Sequence, residues 1–158
     1  HIHRTAVVEI DSDCRFKSGF AENPVGGGRR LGMWLGPSAK LTIGRGVGIS
    51  SSTIVCSNTI SIEDDVYIGG ECNIYDTDFH SILPEQRLVK PDTTVKSAPI
   101  IIGRRSFIGG HSIILKGVTI GEAAVIGAGS VVTKSVPRGE IWAGNPARCV
   151  GRIDLIQR

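Results

Sequence analysis

The chain has 158 residues, 21 of them glycine, only 5% aromatic, and a net charge of +3. That length supports one domain with a substantial core. The near-neutral balance, with no aromatic-interleaved basic run and no helix-turn-helix, zinc-finger or RNA-binding motif, argues against nucleic acid, and no run of 18 apolar residues offers a membrane-spanning helix.

Along the chain the organising period is six. Residues 5–20 hold two imperfect units, Ile10 with Cys14 and Phe16 with Phe20, and predict a first coil. Residues 21–39, AENPVGGGRRLGMWLGPSA, break the period with Gly and Pro and predict a loop with an edge strand. Residues 40–74 restore it through Ile43, Ile49 and Val55, slip by one residue, and resume at Ile62, Ile68 and Ile74. A second break, YDTDFHSILPEQRLVKPDTTVKSAP, spans residues 75–99. The cleanest coils run over residues 100–136, where Ile102, Ile108, Ile114, Ile120, Ile126 and Val132 recur. The fourth position after each of the first five is small or β-branched: Ser106, Ser112, Val118, Ala124 and Ser130. Residues 137–158 predict a closing cap.

A period of six fits neither a 3.6-residue helix nor a continued two-residue alternation. It fits stacked coils. Three units close one triangular turn, and stacking the turns pairs equivalent strands in parallel about 4.8 Å apart, with the aliphatic positions forming an inner ladder. No turn buries its apolar side alone, so at least three must stack and the ends need caps. The predicted fold is all-β, one domain over residues 1–158. Cys14 and Cys72 take the small interior position, Cys56 sits beside Val55 and Cys149 lies in the tail, with no pair at metal or redox spacing. They read as small, mostly buried hydrophobes of a reducing compartment, and with no signal-peptide pattern a cytoplasmic location is expected.

The stretch IGRRSFIGGHSIILKGVTIGEAAVIGAGSVVTKSVPRGEIWAGNPAR, residues 102–148, resembles the C-terminal region of the hexapeptide-repeat acyltransferases, and with the earlier repeats the likeness covers roughly residues 41–153. Galactoside, maltose and polysaccharide O-acetyltransferases are the nearest in pattern. The first two carry a long helical N-terminal extension that these residues do not show, which points to a shorter, polysaccharide-type member. The resemblance implies a left-handed parallel β-helix, since periodicity alone does not set the hand and ordinary parallel crossovers are right-handed. It also implies acetyl-coenzyme A as donor, no metal, and a homotrimer with sites between subunits.

By that resemblance His80, in the polar excursion, supplies the general base; a neutral imidazole removes a hydroxyl proton near neutral pH, worth about 10² to 10⁴ in rate. Asp76 and Asp78 orient the imidazole, face the acceptor sugar, or shape the turn. Glu85 and Arg87 are further candidates for substrate contact. Gly110 matches the position whose backbone N–H stabilises the developing oxyanion, and is equally a corner glycine. Ala128 lies where backbone meets the pantetheine arm, and Phe107 where relatives place an aromatic wall beside the acyl group. Lys134 and Arg148 match the positions that meet the coenzyme phosphates. A third family arginine falls at Gly151, with Arg152 adjacent. Trp142 either stacks on the adenine or anchors the cap, and His111 reads as a corner residue. Lys134, Arg138, Arg148, Arg152 and Arg158 concentrate positive charge in the last quarter, as a phosphate site or a solvated surface.

The expected activity is O-acetylation of a sugar hydroxyl, in surface-polysaccharide biosynthesis, by direct transfer, because no Ser or Cys sits beside a base in a nucleophile motif. Rival acceptors are amino sugars and xenobiotics. A zinc carbonic anhydrase on this helix type needs three imidazole ligands, and apart from His1 and His3 only His80 and His111 exist. The non-enzymatic alternative is a β-helix scaffold, which predicts neither base nor phosphate-binding end.

Overall fold

In a computed structural model, residues 1–26 and 28–154 are described. Seventeen short strands stack into three flat faces of a parallel β-helix. The first face comprises Val7–Ile10, Lys40–Ile43, Thr59–Ile62, Ile100–Ile102 and Thr119–Ile120. The second comprises Arg15–Lys17, Gly48–Ser50, Tyr67–Ile68, Phe107–Ile108, Val125–Ile126, Glu140–Gly144 and Ala147–Arg152. Gly32–Leu35, Thr53–Cys56, Asn73–Tyr75, Ile113–Leu115 and Val131–Val132 form the third.

The pleat explains the repeat. Within each strand alternate residues point inward, so Ile100 and Ile102 are buried while Ile101 between them is 40% exposed. Parallel register then stacks like on like: Ile62, Ile102 and Ile120 on the first face, Ile68, Ile108 and Ile126 on the second, Ile74, Ile114 and Val132 on the third. Each buried Ile contributes about 1.5–3 kcal/mol by leaving water.

Val55, which the period of six places on the inner column, does not stand there. The inward residue of the second coil is Ile54, which pairs Met33 and Ile74; Val55 pairs Trp34 and Tyr75 and points outward. The slip therefore lies before Val55. The corner at Ser50–Ser52 is one residue short and the one at Ser57–Asn58 is long, and Asp76 fills the latter by accepting both exposed corner amides.

The ends differ. Glu140–Gly144 adds in parallel to Val125–Ile126, then turns back antiparallel into Ala147–Arg152, which stops further parallel stacking. At the opposite end Val7, Ile10 and Phe16 of the first coil are 39–47% exposed. Two excursions leave the coils. The first, between Lys17 and Gly32, holds a 3₁₀ turn at Pro24–Gly26 and is tied down by Asn23 donating to Ser50 Oγ at 2.8 Å. The second leaves after Tyr75, carries a short helix Pro84–Arg87, and returns at Ile100. Its neck is closed by a Thr77–Ser97 bridge, Asp78 N–H donating to Lys96 O at 3.0 Å, and Ala98 N–H donating to Asp76 O at 2.9 Å. Among the described residues no helix is long and apolar enough to cross a membrane.

Candidate active site

The first two positions of the corner between the second and third faces carry almost no side chains. Gly69, Gly109 and Gly127 open it on successive coils, followed by Gly70, Gly110 and Ala128. The coils approach so closely there that a Cβ on Gly109 would lie 2.5 Å from Ala128 N, and one on Gly69 would lie 2.6 Å from Gly110 N. Gly110 O accepts from Gly129 N–H at 2.9 Å, whereas the Gly110 N–H meets no acceptor among the described residues. A backbone donor without a partner is what a developing oxyanion needs, and here the side chain beside Gly110 is Val25 of the first excursion, whose Cγ1 would lie 3.8 Å from an added Cβ. His111, at φ +60°, turns this corner and donates its N–H to Gly70 O at 2.8 Å, in keeping with a corner role.

Phe107, Ala128 and Arg148 share this edge of the helix with Gly110. Phe107 is 48% exposed, in register with Tyr67 and Val125 on the outside of the second face. Arg148 follows the turn after Gly144, whose N–H donates to Ser130 Oγ on the same corner at 3.1 Å. The Arg148 side chain is exposed, with one nitrogen donating to Ala147 O at 2.8 Å.

His80 sits elsewhere, on the second excursion, which springs from the corner between the third and first faces. Its imidazole is 62% exposed, and Nδ1 lies 3.9 Å from Asp92 Oδ2. The Asp92 side chain is only 8% exposed. It accepts from Ser81 N–H at 2.9 Å and from Thr94 N–H and Oγ1 at 3.3 and 3.1 Å, and these bonds, the Ser81 one foremost, hold its carboxyl below the usual carboxylate range. The carboxylate facing the imidazole is thus Asp92, twelve residues downstream, and not Asp76 or Asp78. Asp-x-Thr is a local signature of a carboxylate that bonds its own backbone two residues on. That pattern at Asp92–Thr94 was the available signal, and it marks a turn rather than a partner for a distant histidine.

The remaining sequence candidates separate. Asp76 is fully buried, and both its oxygens accept backbone amides, from Ser57 at 2.7 Å and Asn58 at 2.8 Å, so it shapes the corner and is closed to a sugar. Asp78 accepts from Lys116 Nζ at 2.7 Å. Glu85 and Arg87 lie exposed on the short helix, and Arg87 donates to Ser81 O at 3.3 Å. Lys134 is exposed at the corner after Val131–Val132. Trp142 is in register with Ile126 at the end of the inner column, packs on the core, and donates Nε1–H to Glu140 Oε2 at 2.7 Å. Those contacts fit the anchoring role at the cap. Arg152 pairs the other oxygen of Glu140, and these two donors hold the Glu140 carboxyl low, Trp142 contributing more. Arg158 lies outside the described residues.

Of the four cysteines expected to be small, mostly buried hydrophobes, Cys56 and Cys72 are buried, Cys14 is half-buried, and Cys149, on the last strand pair, is exposed. Cys72 lies directly behind the bare corner, its Sγ–H donating to Gly109 O at 3.3 Å, and burial pushes it up. Burial foremost, with the Asp76 charge behind it, pushes Cys56 up to about 12. Neither is a thiolate near neutral pH, so neither serves as a nucleophile.

A family model described as a hexapeptide repeat of succinyl-transferase matches residues 99–134. Nodulation protein L of Rhizobium leguminosarum bv. viciae is 48% identical over 109 residues, covering 68% of this chain and 55% of that protein. Galactoside acetyltransferase in complex with coenzyme A superposes with a TM-score of 0.73 at 30% identity, over 94% of this chain and 65% of the other. A hexapeptide-repeat acetyltransferase from Vibrio cholerae, complexed with acetyl coenzyme A, gives 0.70 at 26% identity, over 92% and 71%. A maltose O-acetyltransferase from Clostridium difficile gives 0.60 at 27% identity, over 96% and 68%. The chain thus spans 55% of the curated relative and 65% of the galactoside enzyme. Repeat, register and relatives agree: this chain is a hexapeptide-repeat protein folded as a left-handed parallel β-helix, similar over nearly all its length to acetyltransferases of that fold.

Proposed function

We propose that the chain is an acetyltransferase that moves the acetyl group of acetyl-coenzyme A to a sugar hydroxyl, in surface-polysaccharide biosynthesis. The observation that carries this reading is the small-residue corner: an unpartnered Gly110 N–H on an edge where the stacked coils carry Gly69, Gly70, Gly109, Gly127 and Ala128, with the Val25 side chain beside it. An extended pantetheine arm fits such an edge, with Ala128 too small to obstruct it and Arg148 further along to meet a phosphate. Lys134 is the second exposed cation for that role. Trp142 and Arg152, engaged with Glu140, are left out of it.

The chemistry follows from the donor and base present. His80 takes the proton from the acceptor hydroxyl as that oxygen bonds to the acetyl carbonyl carbon; the carbon–sulfur bond breaks, and the imidazolium returns the proton to the departing sulfur. Gly110 N–H donates to the carbonyl oxygen as it gains charge. Asp92, fixed by Ser81 and Thr94, favours the imidazole orientation in which Nδ1 faces it and Nε2 faces the acceptor. The raised Cys56 and Cys72 thiols support direct transfer without an acyl-enzyme.

His80 and Gly110 belong to different corners of the triangle. A homotrimer, in which the excursion of one subunit reaches the bare corner of the next, brings them together and creates three shared sites.

The test is titration of the protein and of His80→Ala with acetyl-coenzyme A, followed by thiol release on a panel of neutral sugars, amino sugars and hydroxylated xenobiotics. Binding by both proteins, with release by the unmutated one alone falling about 10² to 10⁴-fold in the variant, is the expected result. Failure of both to bind overturns the reading in favour of a scaffold; release on amines alone replaces the hydroxyl acceptor with an amine.

A further inference from the structure

Beneath the second excursion lies a cleft of about 630 Å³ on the third face. Two aromatic rings form its walls, Trp34 and Phe79, and Val55 and Val95 contribute its aliphatic surface. Three hydroxyl residues, Ser57, Thr77 and Ser97, complete the lining. None of the seven carries an ionisable side chain.

Both rings are set in place by the backbone. The Trp34 indole lies against Gly36, where a Cβ would be 3.3 Å from its outer ring carbons, and it remains 43% exposed even with the His1 ring stacked 6.0 Å away. Phe79 is held at φ +64°, a left-handed conformation that a bulky residue adopts only when its surroundings impose it. Its N–H donates to Thr77 Oγ1 at 3.4 Å, and its ring meets Tyr75 edge-on at 5.1 Å. Phe79, the residue before His80, lines the cleft in that conformation. Among the described residues the Ser57 and Ser97 hydroxyls make no hydrogen bond within the protein, and both reach solvent, Ser57 half-buried and Ser97 exposed.

We infer that this cleft is a binding site for an uncharged pyranoside, which lays its C–H face on the Trp34 and Phe79 rings and exchanges hydrogen bonds with Ser57, Thr77 and Ser97. The inference rests on the transferase reading only in assigning this sugar as the acceptor. An acidic sugar is disfavoured, because no cation lines the cleft to offset the desolvation of a carboxylate. The residues that hold it replace Asp76, whose carboxylate is spent on the corner behind Ser57. Aromatic faces provide the apolar contact and the hydroxyls the orientation, the usual division of labour in a small-molecule site.

The chain has two tryptophans, so Trp142→Phe leaves Trp34 as the sole indole reporter. Its emission is titrated with methyl glucoside, galactoside and mannoside, and with methyl glucuronide, with circular dichroism to check folding and the unmutated protein run in parallel. The expected result is a saturable change with a neutral glycoside, at least tenfold weaker with the glucuronide and with Gly36→Ala. Trp34→Ala is expected to raise the acceptor KM about tenfold while acetyl-coenzyme A binding is unchanged. No emission change with any neutral glycoside overturns the cleft, as does acetyl transfer whose acceptor KM ignores both Trp34→Ala and Gly36→Ala. A change that follows protein concentration instead of sugar assigns the cleft to a second copy of the chain and equally overturns it. Saturable binding without any transfer leaves the sugar site standing and removes the transferase reading.

Discussion

Replacing Asp76 by Ala separates a structural carboxylate from a substrate-binding one. In the folded chain its two oxygens accept the Ser57 and Asn58 amides at 2.7 and 2.8 Å, and the side chain is fully buried. Hydrogen bonds to a charged group contribute about 1.5–3 kcal/mol each, and the variant leaves two corner amides with no acceptor, so the loss is about 3–6 kcal/mol. For a domain of this size, at about 2–4 °C per kcal/mol, that corresponds to a fall in Tm of about 6–24 °C. Asp76→Asn keeps the volume but turns one acceptor into an amino group facing an N–H, and is expected to lie between Ala and the native residue. The assay is thermal and denaturant unfolding, joined to acceptor KM measured well below the variant's transition. An unchanged Tm with a tenfold rise in acceptor KM would refute the reasoning, because it would mean that the carboxylate faces the sugar and the corner does not depend on it.

Four further expectations span the core, the charges and the assembly. Ile114→Ala removes a fully buried side chain stacked between Ile74 and Val132 and is expected to lose about 2–5 kcal/mol in denaturant unfolding. Ile101→Ala, on the outward side of the first face and 40% exposed, is expected to lose well under half as much; equal losses would mean that the pleat does not sort inward from outward residues. Asp92, Glu122 and Glu140 all have depressed carboxyls, Glu122 chiefly through bonds from Arg105 and then Arg104. Their stabilisation is fully present above the unfolded value of about 4 and is lost as pH falls through the lower folded values, so Glu122→Gln should flatten the acid limb of a stability profile and leave the limb between pH 5 and 8 unaltered. Last, mixing His80→Ala with Arg148→Glu subunits should restore measurable thiol release from two inactive parents, since one shared site then receives a native histidine from one chain and a native corner from the other; continued inactivity of verified mixed trimers places both residues in one subunit's site.

What the sequence disclosed, and what it withheld, divides along a physical line. A parallel β-helix repeats one environment, so Ile102, Ile108, Ile114, Ile120, Ile126 and Val132 announce the inner ladder by spacing alone, and the structure buries all six. Where corners change length the same spacing misleads: a branched residue at position 55 satisfies the period of six, yet the short Ser50–Ser52 corner delivers Ile54 to the core and turns Val55 outward. Trp142 shows the same limit at a chain end, where a motif suited to a ligand is taken by the need to cover the last rung.

The site is less legible than the fold because its parts answer to contacts between distant segments. Asp76 lies four residues before His80, and proximity in sequence made it the natural partner for the imidazole. Yet a carboxylate goes where unsatisfied amides are, and the long corner at Ser57–Asn58 offers two of them. With Asp76 drawn inward, the excursion needs another acceptor beside His80, and the turn at Asp92–Thr94 provides one that is already fixed by three bonds. The same inward pull exposes what lies above it. Ser57, whose amide Asp76 holds, presents its free hydroxyl to the cleft that Phe79 walls on the other side. The residue that reads most readily as a sugar ligand thus acts one layer down, by fixing the backbone on which the cleft's own hydroxyl stands.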